Sequence, residues 1–274
     1  MNPPSLPPLS PTVELLVTVG SVLWLVLVAV WGVRRLDRRE FTVLVVLMAA
    51  FLVAVFGEPV LDLLANCQWA RNSGSVVVYS SHGRDILLWY VIIAPPWGAT
   101  MAYSVYAATQ RRWSVRRMWG LYAGLVAVHF VLDALLQFLG LYDYFGAQPF
   151  EVLGVPFNWP FVYSAGFVAS GMLLYRAAPY FTGRRLFLLV PFAGTVFTAF
   201  GDFAGWPVTL GHGVADAPSW LMAVLALASV GIALLALHLG FLINDRTPRA
   251  GRSDPGSQLP GGRTEQVPEN APHA

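Results

Sequence analysis

The chain has no lysine, a single cysteine and little charge of either sign. All seventeen basic residues are arginines, and against fifteen acids they leave a formal charge of +2. They fall in short pairs between apolar segments, not in one stripe, which argues against nucleic acid as a partner. The lone Cys67 excludes an internal disulfide and any multi-thiolate metal site, and reads as a small apolar filler near a helix end. There is no histidine pair at metal spacing and no multi-histidine box. No metal is therefore expected, although His129 and nearby carboxylates have ligand chemistry that suits a divalent cation. A glycine-rich phosphate loop and a dinucleotide fingerprint are also missing, which argues against ATP-driven and nicotinamide chemistry. No cofactor is expected. The opening MNPPSLPPLSP has no basic residue, so it lacks the positive start of a signal peptide; residues 1–11 are expected to be a short exposed lead-in.

Apolar length is what the chain has in abundance. Of 274 residues, 56% are hydrophobic and 12% charged, where a soluble domain carries about 25% charge. The mean hydropathy of +0.59 is spread over nearly the whole chain. A soluble globule cannot hide that much apolar surface, whereas about 20 apolar residues form a helix that crosses hydrocarbon and satisfies its own backbone. The expected fold is all-α: a polytopic cell-membrane protein with the lipid bilayer as its surroundings and seven transmembrane helices, near 12–33, 41–65, 86–109, 116–141, 157–178, 186–208 and 218–243. The sixth span is interrupted by Pro191, Gly194, Gly201, Asp202, Gly205 and Pro207, a pattern that also fits a broken or re-entrant helix. Residues 12–243 form the membrane domain. Residues 244–274, rich in Pro, Gly and polar residues without apolar periodicity, are expected to be a disordered cytoplasmic tail.

Arginine placement orients the spans. Fifteen arginines fall on the side of the first, third and fifth connections and the tail, against only Arg71 and Arg84 on the other. Because cytoplasmic loops carry the excess of positive charge, the N-terminus is expected outside and the C-terminus in the cytoplasm. The longer outer connections, 66–85 and 142–156, carry more character than a tether needs, with a short strand expected at Val76 to Tyr79; either would cover a pocket at the outer face.

Ionisable residues inside the spans are costly and mark function. Glu58 and Asp62 stand four residues apart on one helix face, as do His129 and Asp133, and Asp202 lies in FGDFAGWP. Counting about 1.5 Å per residue places Glu58, Asp133 and Asp202 at roughly 24 to 27 Å from the cytoplasmic ends, with His129 about 6 Å deeper. Convergence on one interior pocket avoids exposing them to lipid. Trp69, Trp89, Tyr90, Asn158, Trp159, Tyr163 and Trp206 lie at similar heights and would line a site for a mostly apolar small molecule. Competing structural roles stay open: an interfacial belt for the tryptophans, a helix-helix hydrogen bond for His129, and a mutually satisfied polar lock for the three acids. Pro95 and Pro96 are expected to bend the third span, and Gly201 and Gly205 to bring helices close beside Asp202.

The segments GEPVLDLLANCQW at 57–69, GRDILLWYV at 83–91, YDYFGAQPF at 142–150 leading to VPFNWPF at 155–161, and GDFAGWPV at 201–208 resemble the spirocyclase AveC family of actinobacterial membrane proteins. That resemblance covers roughly residues 40–240 and implies spiroketal formation in macrolide polyketide biosynthesis, in which a dihydroxy-ketone closes two rings at one carbon with loss of water. The chain is also similar, more distantly, to integral-membrane terpene cyclases, which protonate an epoxide on a prenylated substrate. Both imply a cofactor-independent acid-base cyclase of secondary metabolism. Glu58 is then the expected general acid, Asp202 the base or cation-stabilising partner, Asp133 a tuning group, and His129 an orienting or relay group, with Asp62 beside them. A transporter or ligand-binding membrane module is the non-enzymatic alternative, although the spans show no duplicated halves.

Overall fold

The computed structural model describes residues 5–181, 183–214 and 216–246. The described part is all-α in its long elements. The helices are α1 (Pro11–Arg35), α2 (Arg38–Ala54), α3 (Glu58–Ala65), α4 (Leu88–Gln110), α5 (Val115–Phe138), α6 (Asn158–Ala177), α7 (Leu189–His212) and α8 (Ser219–Arg246). A single 3-10 turn, Val55–Gly57, joins α2 to α3, so the described residues make seven helical rods.

Five of those rods are long and apolar enough to cross a membrane: α1, α2 with α3, α5, α7 with its 3-10 lead-in, and α8. The two that fall short, α4 and α6, are the ones most enclosed by other helices. α4 packs on α1, α2 and α6, while α6 packs on α4, α5, α7 and α8. Helices facing protein instead of lipid can carry the tyrosines, serines and prolines that lower their apolarity. The outer rods show the complement: Leu16, Leu27 and Val33 of α1 and Leu227, Leu235 and Ile243 of α8 are exposed. Such an apolar girdle suits a lipid surround.

Four rod ends meet at one end of the bundle. Leu9 N–H, just before α1, bonds Arg71 O; Thr209 Oγ1 near the end of α7 donates to Leu64 O of α3 at 3.1 Å; and β1 (Cys67–Trp69) pairs antiparallel with β4 (Tyr142–Tyr144), tying the connection after α3 to that after α5. Arg176 of α6 reaches the carbonyls of Ile243 and Asn244 at the opposite end. The short connections at that opposite end hold the paired arginines. Asp37 caps α2 there by accepting from Glu40 N–H at 2.8 Å.

The loop-rich end is a cap made of the β1–β4 pair and two small hairpins. β2 (Val77–Ser81) pairs with β3 (Arg84–Leu87) across a tight His82–Gly83 turn in which both residues have positive φ, and β5 (Glu151–Val152) pairs with β6 (Val155–Pro156). The strand expected at Val76 to Tyr79 therefore begins one residue later and extends further. Residues 86 and 87, expected in the third span, belong to β3, and α4 starts at Leu88. The lead-in is not simply exposed: Leu9 is buried, and Glu14 of α1 accepts from Asn72 Nδ2 at 2.7 Å and Ser75 Oγ at 2.8 Å. α7 is one continuous helix through Pro207, not a broken one. α8 runs to Arg246, past the expected end at 243; the rest of the expected tail, from 247, lies outside the described residues.

Candidate functional site

Beneath the hairpin cap lies a cavity of about 240 Å³, walled by α1, α2, α3, α4, α5 and α6 and touched by Phe197 of α7. Glu58 and Asp62 enter it from one face of α3, and His129 and Asp133 from one face of α5, each pair at the four-residue spacing that stacks side chains on a helix. The 3-10 turn before Glu58 makes that residue the first of α3. Asn66, in the left-handed conformation at φ 52°, ends α3 and turns the chain into β1.

Two of the buried acids have an aromatic donor. Trp69 Nε1–H donates to Asp62 Oδ2 at 2.6 Å, and Tyr142 O–H donates to Asp133 Oδ1 at 2.8 Å. Tyr90 stands beside Glu58, and Cys67 beside Asp62. His129 Nε2 stands 3.7 Å from Asp133 Oδ1, and its ring stacks on Tyr163 with centroids 5.6 Å apart. Trp69 is the centre of an aromatic cage, with Trp89, Tyr90 and Tyr142 centroids 5.3, 4.8 and 5.0 Å away. Not every polar atom is satisfied within the protein. Asp133 Oδ2, His129 Nδ1 and Trp89 Nε1 are buried with no hydrogen-bond partner. Buried polar groups are normally paired, so three unpartnered atoms on residues that line one apolar chamber set this region apart.

The cap supplies two further tunable groups. Burial pushes the Cys67 thiol well above its ordinary range, and the charges of Asp62 and Glu58 add to the effect, so Cys67 is a protonated donor and not a thiolate. Burial likewise pushes the Tyr142 phenol up, with Asp133 next in effect, which keeps Tyr142 protonated as a donor to that acid.

Eight of the sequence-derived candidates line this one chamber: Glu58, Asp62, Asp133, His129, Trp69, Trp89, Tyr90 and Tyr163. Four do not. Asp202 is half-buried outside the chamber wall, with Oδ1 unpartnered, and reaches Glu58 only as a nearby charge. Its neighbours explain the placement. Gly201 faces Leu61 of α3, and Gly205 accepts the ring of Trp159 of α6 so closely that a Cβ there would stand 2.7 Å from it. Those two glycines use the side of α7 that meets the bundle, and Asp202, one residue on, is turned about 100° away. Trp159 is consequently buried in the α6–α7 contact. Trp206 is 51% exposed on the outside, where an interfacial role suits it. Asn158 is fully buried outside the chamber with both amide atoms unpartnered.

Tyr142, Tyr144 and Trp97 line the chamber without having been singled out in the sequence, and Cys67, expected only as an apolar filler near a helix end, lines it too. Arg84 was counted only as an outer charge. It is 1% exposed, its guanidinium lies 5.3 Å from the Phe145 ring, Nε and Nη2 have no hydrogen-bond partner, and its charge acts on Asp62. A buried arginine beside Asp62 places a positive charge behind the acid pair of α3. Among the described residues no group of three or more His, Cys, Asp or Glu side chains is placed to hold a metal ion. The chain matches no family model, no curated protein and no solved structure.

Proposed function

We propose that this protein is a seven-span cell-membrane enzyme, N-terminus outside and C-terminus cytoplasmic, that cyclises an apolar oxygenated small molecule by acid-base catalysis in the chamber under its hairpin cap. The alternation of rod ends and the arginines gathered at one end of the bundle support the orientation. Support for the chemistry comes above all from Glu58, Asp62, His129 and Asp133, which line one apolar, aromatic-walled space.

The resemblance to the spirocyclase AveC family favours spiroketal formation from a dihydroxy-ketone. One hydroxyl first adds to the ketone, giving a hemiketal. Glu58 then protonates the hemiketal hydroxyl, which leaves as water. The oxocarbenium ion that remains is stabilised by carboxylate charge and by aromatic faces. The second hydroxyl attacks the same carbon, and its proton passes through Asp133 and His129 back to Glu58, so one water is lost and the protein is unchanged. Asp133, which lines the chamber, takes the basic role that the cyclase reading gave to Asp202. Trp89 walls the substrate, and Arg84 sets a positive charge beside Asp62.

The aromatic cage centred on Trp69 also suits a second reading, acid opening of an epoxide with cyclisation of a prenyl chain, in which ring faces stabilise a carbocation. Incubating the purified protein in membranes with a dihydroxy-ketone and with an epoxy-prenyl compound separates the two, because the first product loses the mass of water and the second does not. Movement of either compound across the membrane without conversion would point instead to transport.

A further inference from the structure

We infer that the groove between α4 and α5 is a second binding site, holding the hydrocarbon chain of the ligand whose oxygenated end enters the acid chamber. This rests on the chamber being the reaction site and names the kind of molecule it takes: an amphiphile with a long apolar chain.

α4 and α5 barely touch, because α5 leans on α6 while α4 packs on α2 and α6. The gap between them is a groove of about 870 Å³ that runs toward the arginine-rich end and is bounded there by Arg117. Trp97 lines both spaces, and its indole stands edge-on to His129 with centroids 6.1 Å apart. The pair Pro95 and Pro96 just before it removes two backbone donors from α4, which loosens the helix where the two spaces meet. The chamber, about 240 Å³, is the smaller and more enclosed of the two, so a long molecule can place only its reacting end there.

The groove wall asks for hydrocarbon. Its hydroxyls are already used within α4: Thr100 Oγ1 donates to Pro96 O at 2.7 Å, and Ser104 Oγ to Met101 O at 2.6 Å. On the α5 side, Gly120 and Gly124 have nothing within 4 Å of where a Cβ would be. Glycine inside a helix costs about 1 kcal/mol relative to alanine, and here no neighbouring helix uses the space gained. From Arg117 to Val128 the groove wall is about 16 Å long by helical rise, the reach of a dodecyl chain.

The test uses two dihydroxy-ketones with the same oxygenated head, one without a chain and one with a dodecyl chain ending in a diazirine. On irradiation of the full-length protein in nanodiscs, the long ketone is expected to label peptides carrying residues 100–104 or 120–124. The Glu58→Gln variant should label equally, since chain binding does not need the acid. In Gly124→Leu, which fills the groove, the long ketone should bind at least tenfold more weakly while the short ketone binds as before. Labelling spread over the outer faces of α1 and α8, or displaced by phosphatidylglycerol and not by unlabelled long ketone, would overturn the inference. Groove labelling without conversion of either ketone would leave the chain site standing and remove the cyclase; conversion of the short ketone without groove labelling would do the reverse.

Discussion

Trp69 Nε1–H donates to Asp62 Oδ2 at 2.6 Å, which fastens the first strand of the hairpin cap to the helix carrying Glu58. Because β1 pairs with β4, the same bond also holds Tyr142 over Asp133. Replacing Trp69 by Phe keeps the aromatic packing and deletes the donor. Leaving a buried carboxylate oxygen without its partner costs about 1–3 kcal/mol. Chemical unfolding in detergent should show that loss for Trp69→Phe, and unchanged stability would mean the cap is held by packing alone.

Cys67 is the only thiol in the chain, so its reactivity can be read without interference. Burial and the adjacent carboxylate charges push it up, and a raised thiol forms thiolate only at higher pH. Alkylation by N-ethylmaleimide should therefore be slow in the folded protein at neutral pH. It should accelerate only above the ordinary thiol range near about 8.5, while the unfolded protein reacts with the ordinary profile. Rapid labelling of the folded protein at pH 7 would contradict the placement of Cys67 against Asp62.

Orientation has its own test. With Cys67 replaced by alanine, single cysteines at Ser75 and Ser114 should be labelled by an impermeant reagent from opposite sides of the membrane, Ser75 from outside. Labelling of both from one side would contradict the seven-span arrangement.

How much of this was legible in the sequence differs by element. The apolar runs of α1, α5 and α8 announce themselves, and so does the charge asymmetry between the two ends. The acid pairs of α3 and α5 were readable because four-residue spacing is a local signal. What residue counting cannot supply is the direction a side chain takes around its helix. Asp202 follows Gly201, whose side of α7 meets α3, and does not line the chamber. Tyr142 and Cys67 were missed as chamber residues for a different reason. They reach the chamber only because β1 and β4, far apart in the chain, pair across the cap, and short strands of that kind carry no periodic pattern. Arg84 was invisible as a buried charge, since an arginine in a polar loop is ordinarily exposed.

The most direct test of the acid chamber is the rate at which folded variants convert a dihydroxy-ketone to its spiroketal. A general acid is worth about 10²- to 10⁴-fold, so Glu58→Gln should lose that much turnover with its thermal stability retained. Asp133→Asn should fall in the same direction, and Asp202→Asn, lying outside the chamber, should stay within a few-fold of the parent. Full turnover by folded Glu58→Gln, or a larger loss from Asp202→Asn than from Asp133→Asn, would contradict the chamber as the seat of catalysis.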